Sequence, residues 1–375
     1  VGPMRLCACA FVSVVCLLPP DLADCRPLPG GGVGNTVLTS NNPEIFWGPG
    51  VLYTNQGPLE TRGGGRYDLK GKFGVYLHHI NQAGTGTCLS LLTRNPSAGQ
   101  IVVNVTGSGF DQDDVGGMGI GKSPDFHVAK DWLIDHRNIS RSVALDANDS
   151  SVLWQRCPRN NTELDGRFAL SSSDLVHVFV VASRSPSLDD ILSQLRIEAP
   201  GEYLDSDPPA KFGREAGLYQ FDTWSGVINT SVPTSSGVVS YAINTATGAG
   251  FEQVQAFPAL AHLTTSAAEA VGMYGNIYDI TMLLRNTAAN TRTVTVTFSS
   301  LSSAQISRLW DGVGLVDGEL LPIQHVPGQA VTVLKTLVLG PSQSRTVHFK
   351  TVVPGLTSLP QALSVAYSDA DATLV

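Results

Sequence analysis

Polar and apolar residues alternate along much of this chain with the period of a β-strand. Residues 101–106 read IVVNVT and residues 293–298 read TVTVTF, so every second side chain falls on one face. Their β-branched side chains favour extended backbone. Charged residues make up only 15% of the 375 residues, whereas Gly and Pro number 38 and 22, a composition that leaves little room for long surface helices. The sequence predicts an all-β protein rich in turns.

The two halves of the chain share part of this pattern. A shift of 191 residues, from 94 to 285, places Arg94-Asn95 on Arg285-Asn286 and the strand 103–106 on 294–297. Residues 169–179 and 337–349 also read as strand, turn and strand, which places His177 and His348 in matching strands. We therefore expect two tandem β-sandwich modules, immunoglobulin-like or jelly-roll-like.

The expected domain boundaries follow from composition. Residues 1–25 are predicted to be a signal peptide, 26–198 the N-terminal module and 212–352 the C-terminal module, with a tail at 353–375. Residues 199–211 are polar, rich in proline and without periodicity, and form the predicted linker.

Two short helices are expected within the N-terminal half. Ser123-Pro124 has the pattern of an N-cap followed by a first-turn proline, and an apolar face follows it. Ser187 and Asp190 resemble a capping box before a second short apolar segment.

An apolar run at residues 6–18 has the length of a signal-peptide core and is too short to span a bilayer. It predicts a secreted, extracellular or cell-surface protein without an integral membrane segment in the mature chain. Lipid anchoring through Cys25 is the alternative. Beyond this region only Cys88 and Cys157 remain, an even pair that we expect to form a disulfide in an oxidising compartment; two buried thiols are the alternative.

The net charge of −8 argues against nucleic acid as a partner, because the chain cannot neutralise a row of phosphates. Residues 116–123 read GGMGIGKS and fit the P-loop pattern GxxxxGK[ST]. Acidic residues stand where the P-loop strand should end, and Pro124 delays the helix. We interpret this segment as a glycine-rich loop before a capped helix and predict no nucleotide cofactor.

Several segments, in the same order along the chain, resemble a family of secreted cyanobacterial proteins known as a domain of unknown function. They include RPLPG at 26–30, SNNPE at 40–44, KFGVYLHHI at 72–80, FGREAG at 212–217 and YGNIYDIT at 274–281. The resemblance extends from residue 26 to about 365. It implies no catalytic residues.

Candidate ligand sites are few. Asp111, Asp113 and Asp114 precede two glycines and offer oxygens to a loosely held calcium ion, with a solvated acidic turn as the alternative. His78 and His79 are adjacent in a predicted strand, so their rings should point to opposite faces, one in the core and the other at the surface or an interface, with a metal-binding or catalytic role as the alternative. Trp47 and Trp224 lie beside turns, where an aromatic ring can stack on a sugar, although many tryptophans fill sandwich cores instead.

Five asparagines lie in Asn-x-Ser/Thr sequences and are glycosylation candidates in a eukaryotic secretory pathway. They are Asn104, Asn138, Asn148, Asn160 and Asn229. The expected function is a non-catalytic one at the cell surface or in an extracellular matrix, through contacts with a protein or a glycan, with self-assembly possible. The alternative is a secreted carbohydrate-active hydrolase whose acidic residues are scattered along the chain.

Overall fold

The structure is a computed structural model that describes residues 19–57, 64–84, 86–113, 123–202, 214–232, 237–245, 251, 253, 255–301, 309–355, 357 and 360–369. Its strands are β1 (Gly31–Val33), β2 (Val37–Ser40), β3 (Ile45–Phe46), β4 (Gly50–Thr54), β5 (Leu69–Asn81), β6 (Cys88–Arg94), β7 (Ile101–Asp113), β8 (Ile139–Leu145), β9 (Ser150–Arg156), β10 (Thr162–Ser183), β11 (Ala216–Tyr219), β12 (Thr223–Val232), β13 (Gly237–Ile243), β14 (Ala259–His262), β15 (Ile277–Asn286), β16 (Arg292–Ser300), β17 (Trp310–Val316), β18 (Glu319–His325), β19 (Val331–Leu339), β20 (Ser344–Val352) and β21 (Gln361–Asp369). The helices are α1 (Pro124–Leu133), α2 (Leu188–Ser193) and a 3-10 turn at Leu22–Asp24. The predicted all-β, sandwich-like architecture with short helices is confirmed.

Alternation sorts the side chains as expected. Val103 and Val105 are buried while Asn104 between them is exposed, and Val294 and Val296 are likewise buried in the other half. Because the side chains of a strand alternate between its faces, this burial also fixes the register of each strand against its core.

The strands form three sheets. One has the order β1-β12-β15-β20-β17-β18, and a second, smaller one has the order β13-β21-β16-β19. The largest contains the path β14-β11-β2-β5-β10-β6-β9, to which β3, β4, β7 and β8 are attached. Its central strand β10 is 22 residues long and pairs with β5 and β7 along its first part and with β4 and β6 along its second.

Both predicted helices are present. Ser123 caps α1 by accepting a hydrogen bond from the Phe126 N–H, with Pro124 in the first turn, and Ser187 caps α2 in the same way. Helix α1 packs its apolar side against Val313 and Val352 of the C-terminal half. It therefore lies between the largest sheet and strands β17 and β20. Among the described residues, no helix has the length and apolar character needed to cross a membrane.

The repeat predicted from the 191-residue shift corresponds to a real structural similarity. In the first half β6 pairs with β9 and β7 with β8; in the second, β15 pairs with β20 and β16 with β19. Arg94 is opposite Ser150, and Arg285 is opposite Ser344. The same four-strand arrangement therefore occurs twice.

Asn95 and Asn286 occupy the same corner of this arrangement and make the same hydrogen bonds. Each side-chain amide donates to a carbonyl four residues ahead and to two consecutive carbonyls at the end of a later strand. The acceptors are Gly99, Leu145 and Asp146 for Asn95 (2.7–3.0 Å), and Asn290, Leu339 and Gly340 for Asn286 (2.8–3.1 Å). Each asparagine thereby ties together two turns, the one between β6 and β7 to the one between β8 and β9 in the first half, and the one between β15 and β16 to the one between β19 and β20 in the second.

We expect Asn286→Ala to lower the free energy of unfolding by about 2 kcal/mol, because buried carbonyl oxygens lose their donor. Asn95→Ala should have a similar effect, since the bonding is the same. Thr295→Ala, on a half-buried strand position of the same module, is the control and should cost little. Urea unfolding of the three variants tests this; an Asn286→Ala cost equal to that of Thr295→Ala would contradict it.

The second part of the predicted repeat is wrong. Residues 171–173 form no turn; they lie inside β10, where the register shifts between Ser172 and Val176. His177 is half-buried opposite Arg94, whereas His348 is exposed opposite Thr281. The segment that matches β19, its turn and β20 is instead β8, its turn and β9.

Strand pairing also crosses the predicted domain boundaries. Strands β11 and β14 follow the predicted linker, yet β11 pairs with β2 in the largest sheet. In the other direction, β1 pairs with β12. Of the predicted tail, residues 361–369 form β21 between β13 and β16, and of the predicted linker, Ala199 donates a backbone hydrogen bond to Val51. The division into two modules stays a prediction.

Candidate functional site

Two adjacent strands of the largest sheet direct ionisable side chains to one face. Tyr76 and His78 of β5 are opposite Arg167 and Asp165 of β10 in the antiparallel register. Residues two apart on a strand share a face, so Glu163 of β10 belongs to the same row. This face carries unusually many charged groups for a buried surface.

Helix α1 covers that face and contributes a further carboxylate. Asp125, in the first turn, is held between Tyr76 and the loop after β20: the Tyr76 hydroxyl donates to Asp125 Oδ1 at 3.3 Å, and the Gly355 N–H donates to the same oxygen at 2.8 Å. The capped start of α1, fixed by Ser123 and Pro124, sets the position of Asp125. The helix, the sheet and the C-terminal half therefore meet here.

We call His78, Asp125, Glu163 and Asp165 the acidic cluster. One potential ligand atom from each residue lies within 4.8 Å of the others. His78 Nδ1 is 2.8 Å from Asp165 Oδ1, and the Tyr76 hydroxyl donates to that oxygen at 3.2 Å. All four residues are between 0% and 3% exposed.

The cluster is closed from solvent on the side of the C-terminal half. A Cβ atom added at Gly355 would lie 2.3 Å from His78 Nδ1 and 2.6 Å from the Tyr76 hydroxyl. Such distances are not tolerated, so the loop approaches these side chains as closely as a glycine allows. Within the described residues, His78 Nε2 and Asp165 Oδ2 have no hydrogen-bond partner.

Burial and mutual charge determine how the cluster holds protons. Burial disfavours a charged ring, but the attraction of Asp165 outweighs it and raises the pKa of His78 to about 10. Burial and the nearby charge of Asp125 raise the pKa of Asp165 well above its usual range. Burial and the same carboxylates raise the pKa of Tyr76. The cluster thus has more acidic groups than one imidazolium can balance.

Such an arrangement suits the binding of a small cation or the storage of a proton. Three carboxylates and an imidazole are a donor set for a divalent metal ion. Contact with a polysaccharide or a protein is excluded by the burial of all four side chains. The geometry therefore fits an internal site rather than an open active site.

Arg167 extends the polar row towards the C-terminal half. Its guanidinium donates to the Gly275 carbonyl and is 3.9 Å from a carboxylate oxygen of Asp222. The guanidinium carbon lies 4.4 Å from the centre of the Trp132 ring of α1. Burial lowers the pKa of Arg167 to about 10, with Asp222 acting in the opposite direction, so the group stays charged at neutral pH.

The prediction for the two adjacent histidines is right in one respect and wrong in another. His78 points to the acidic cluster, whereas His79 points to the opposite side, where its ring is 2.9 Å from the Ser40 hydroxyl and 2.8 Å from the Pro43 carbonyl. Both are fully buried, so neither is at the surface. Both faces of β5 are covered, which one strand's pattern does not reveal.

Of the predicted calcium residues, Asp111 and Asp113 lie at the end of β7. Asp111 is partly exposed and lies 3.4 Å from the Arg156 guanidinium. No side-chain position is described for Asp113, and Asp114 lies outside the described residues, as does the glycine-rich loop up to Lys122. The calcium site stays a prediction, and Asp111 is already engaged in an ion pair.

The two tryptophan candidates differ. Trp47 is 53% exposed and is free to contact a ligand, whereas Trp224 is 7% exposed and stacks on Phe257 in the C-terminal core. Trp224 therefore follows the alternative interpretation, that of a core residue. Its ring faces are covered by protein.

The predicted disulfide is present, joining Cys88 and Cys157. All five candidate glycosylation sites lie on exposed side chains; they are Asn104, Asn138, Asn148, Asn160 and Asn229. Glycosylation itself stays a prediction.

A second buried acid, Glu215, lies just before β11 and is fully buried. One carboxylate oxygen accepts a hydrogen bond from the Gly272 N–H at 2.8 Å, and the other has no partner among the described residues. Burial raises the pKa of Glu215 from its ordinary 4.5 to about 8. The folded protein therefore keeps a proton that the unfolded chain releases.

The raised pKa predicts a stability that falls as the pH rises from about 4.5 to 8, because in that window the native state binds more protons than the unfolded state. Glu215→Gln has no carboxyl group to titrate, so its free energy of unfolding relative to wild type should rise by about 2 kcal/mol when the pH is raised from 5 to 8. This is less than the full linkage value because local relaxation screens the charge. Exposed Glu319, changed to Gln, is the control. Denaturant unfolding at both pH values measures this, and a constant difference would contradict the assignment.

These features define an all-β protein in which a helix and two packed sheets enclose a cluster of acids and one histidine. Comparison with known families then places the chain. It belongs to the family described as "Protein of unknown function (DUF3370)", whose model matches residues 23–113 and 182–308, more than half of the chain. The matched segments include Tyr76 and His78 and leave out Asp125, Glu163 and Asp165.

No curated protein matches the sequence. Among solved structures, tripeptidyl peptidase 2 aligns with a TM-score of 0.18 and 8% identity over 86% of this chain, which spans about a quarter (24%) of that protein. Lac15 from a marine microbial metagenome aligns with a TM-score of 0.14 and 8% identity. The alignment covers 89% of this chain and 62% of the Lac15 chain. The CBM22-1-CBM22-2 tandem domain of Paenibacillus barcinonensis Xyn10C aligns with a TM-score of 0.14 and 8% identity. The alignment covers 80% of this chain and 77% of that domain pair. At these scores function has to be argued from the chain itself.

Proposed function

We propose that this protein is exported and acts at the cell surface or in an extracellular matrix through contacts with a protein or a glycan, without catalysis. The observation that carries this proposal is the burial of the acidic cluster. Its four side chains bring one potential ligand atom each to within 4.8 Å of the others, and all four residues are at most 3% exposed. A substrate as large as a glycan has no contact with these groups.

Export is supported by the cysteines. The Cys88–Cys157 disulfide suits an oxidising compartment.

The surface supports contact rather than hydrolysis. One cavity of about 320 Å³ is lined by residues that include Lys72, Asn104 and Ser171. Another, of about 400 Å³, is lined by residues that include Asn229, Arg285 and Arg345. Neither lining contains an aspartate or glutamate, whereas a glycosidase places two carboxyl groups roughly 5 to 10 Å apart at its substrate. Amide, hydroxyl and cationic groups suit hydrogen bonding to a glycan.

The test is expression with the native leader, N-terminal sequencing of the exported protein and a glycan array. Trp47→Ala should weaken binding to any glycan detected at least tenfold, because Trp47 is 53% exposed and its indole can stack on a sugar. Val338→Ala is the matched control, since Val338 is 64% exposed and has no aromatic ring. Retention inside the cell would contradict export, and release of reducing sugar from an array glycan would favour the hydrolase.

A further inference from the structure

We infer that the acidic cluster of His78, Asp125, Glu163 and Asp165 binds one divalent metal ion inside the fold, with zinc or manganese as the class of ion. This inference is independent of the proposed extracellular function. It concerns a buried site, whereas the proposed contacts are at the surface.

The first support is the convergence of the donors. Atoms bound to one zinc ion at about 2.1 Å lie roughly 3 to 4 Å apart. The four candidate atoms lie within 4.8 Å of one another, so a small contraction closes them around one ion. Three structural elements supply them: β5, β10 and the first turn of α1.

The second support is the bonding within the cluster. His78 Nε2 and Asp165 Oδ2 have no partner in the described part of the chain, although both residues are 0% exposed. Unpartnered polar atoms are costly in a protein interior and call for an explanation. A cation held by Asp165 Oδ2 and by the neighbouring carboxylates would remove that cost at Asp165.

The third support is charge. Three carboxylates face one imidazole in an enclosed space, and Arg167, on the same row, already contacts Gly275 and Asp222. A dication balances the excess negative charge of the carboxylates.

The donor set selects among metals. Calcium takes six to eight oxygens at about 2.3–2.6 Å, and magnesium keeps several waters, so both favour open, oxygen-only sites. One imidazole nitrogen with carboxylate oxygens, closed off by Gly355, suits zinc or manganese better.

The experiment uses the full chain after signal removal. Purified protein is stripped with a chelator, desalted, and titrated separately with Zn²⁺, Mn²⁺, Ca²⁺ and Mg²⁺, with thermal unfolding and bound metal per chain as readouts. We expect one equivalent of Zn²⁺ or Mn²⁺ and a rise in Tm of several degrees on binding, because a ligand that binds only the native state stabilises it. Absence of stoichiometric binding and of any Tm shift with all four ions would overturn the inference.

Matched variants locate the ion. Asp165→Asn keeps the shape of the side chain, removes its charge, and should weaken binding at least 100-fold. Asp174→Asn is the control, because Asp174 is on the same strand with its side chain 48% exposed; its affinity should equal that of wild type. Glu163→Gln serves as a second cluster variant if Asp165→Asn fails to fold.

Asp111→Asn separates the cluster from the predicted calcium residues, of which Asp111 is one. Loss of binding in Asp111→Asn with full binding in Asp165→Asn would assign the ion to the end of β7 and overturn the cluster site. Loss in either cluster variant, with Asp111→Asn and Asp174→Asn unaffected, supports the cluster.

Discussion

Replacing Cys88 and Cys157 together by alanine is expected to lower the free energy of unfolding by about 4 kcal/mol. The two cysteines are 69 residues apart in sequence. A cross-link over a loop of that length removes conformational entropy from the unfolded chain, which accounts for about 4 kcal/mol in the chain-entropy model. Because β9 is the last strand in the order of the largest sheet, the disulfide also fastens an edge strand to β6.

Urea unfolding of the double alanine variant and of wild type, both without reductant, measures this loss. Wild type treated with reductant should approach the double variant in stability. A double variant within about 1 kcal/mol of wild type would show that the cross-link contributes little.

The strand pattern predicted the fold class because burial on a strand follows every second residue. Val294 and Val296 are buried for the reason that made them recognisable, namely alternation with threonine. The matching corners at Asn95 and Asn286 were detectable from the sequence because each asparagine follows an arginine at the end of a predicted strand, and the two pairs are 191 residues apart, the same shift that aligns the neighbouring strands.

Strand partners were not predictable in the same way. Alternation says which face of β2 is buried, but it does not say that β2 pairs with β11, about 180 residues further along the chain. Such pairings depend on loop closure and on competition among many similar strands. For this reason the predicted linker and tail gave no indication that strands of one half pair with strands of the other.

The acidic cluster escaped prediction for a related reason. In β10, Glu163, Asp165 and Arg167 alternate with Leu164 and Gly166, which is the pattern of a strand with a solvent-facing side. The charged side is buried here because α1 and the C-terminal half cover it. Sequence alternation distinguishes the two faces, but only the tertiary packing decides whether the polar face meets water.

Asp125 was hidden by a local explanation. An aspartate in the first turn of a helix is favoured by the helix dipole, so its presence after Ser123 and Pro124 needed no other cause. In the structure the same carboxylate accepts hydrogen bonds from Tyr76 and Gly355. Its position in the sequence gave no sign of those partners, which are 49 and 230 residues away.

The second large effect is expected at Arg167, where Arg167→Ala should lower the free energy of unfolding by about 4 kcal/mol. Removing one member of a buried ion pair costs about 3 to 5 kcal/mol, because the partner charge stays buried. Asp222 has a side chain only 14% exposed, and the Gly275 carbonyl would lose its donor. The contact with the Trp132 ring would also be lost, and with it a link between β10 and α1.

Arg292 provides the matched control, because its side chain is buried to the same degree as that of Arg167 but its partner Asp369 is 66% exposed. Arg292→Ala should cost less, about 1 to 2 kcal/mol, since Asp369 returns to water when the pair is broken. Arg167→Lys, which keeps the charge and loses the planar guanidinium, should fall between wild type and Arg167→Ala. Urea unfolding of the three variants at pH 7 measures the difference. Equal losses of stability in Arg167→Ala and Arg292→Ala would contradict this prediction. They would show that the burial of Asp222 does not determine how much stability is lost.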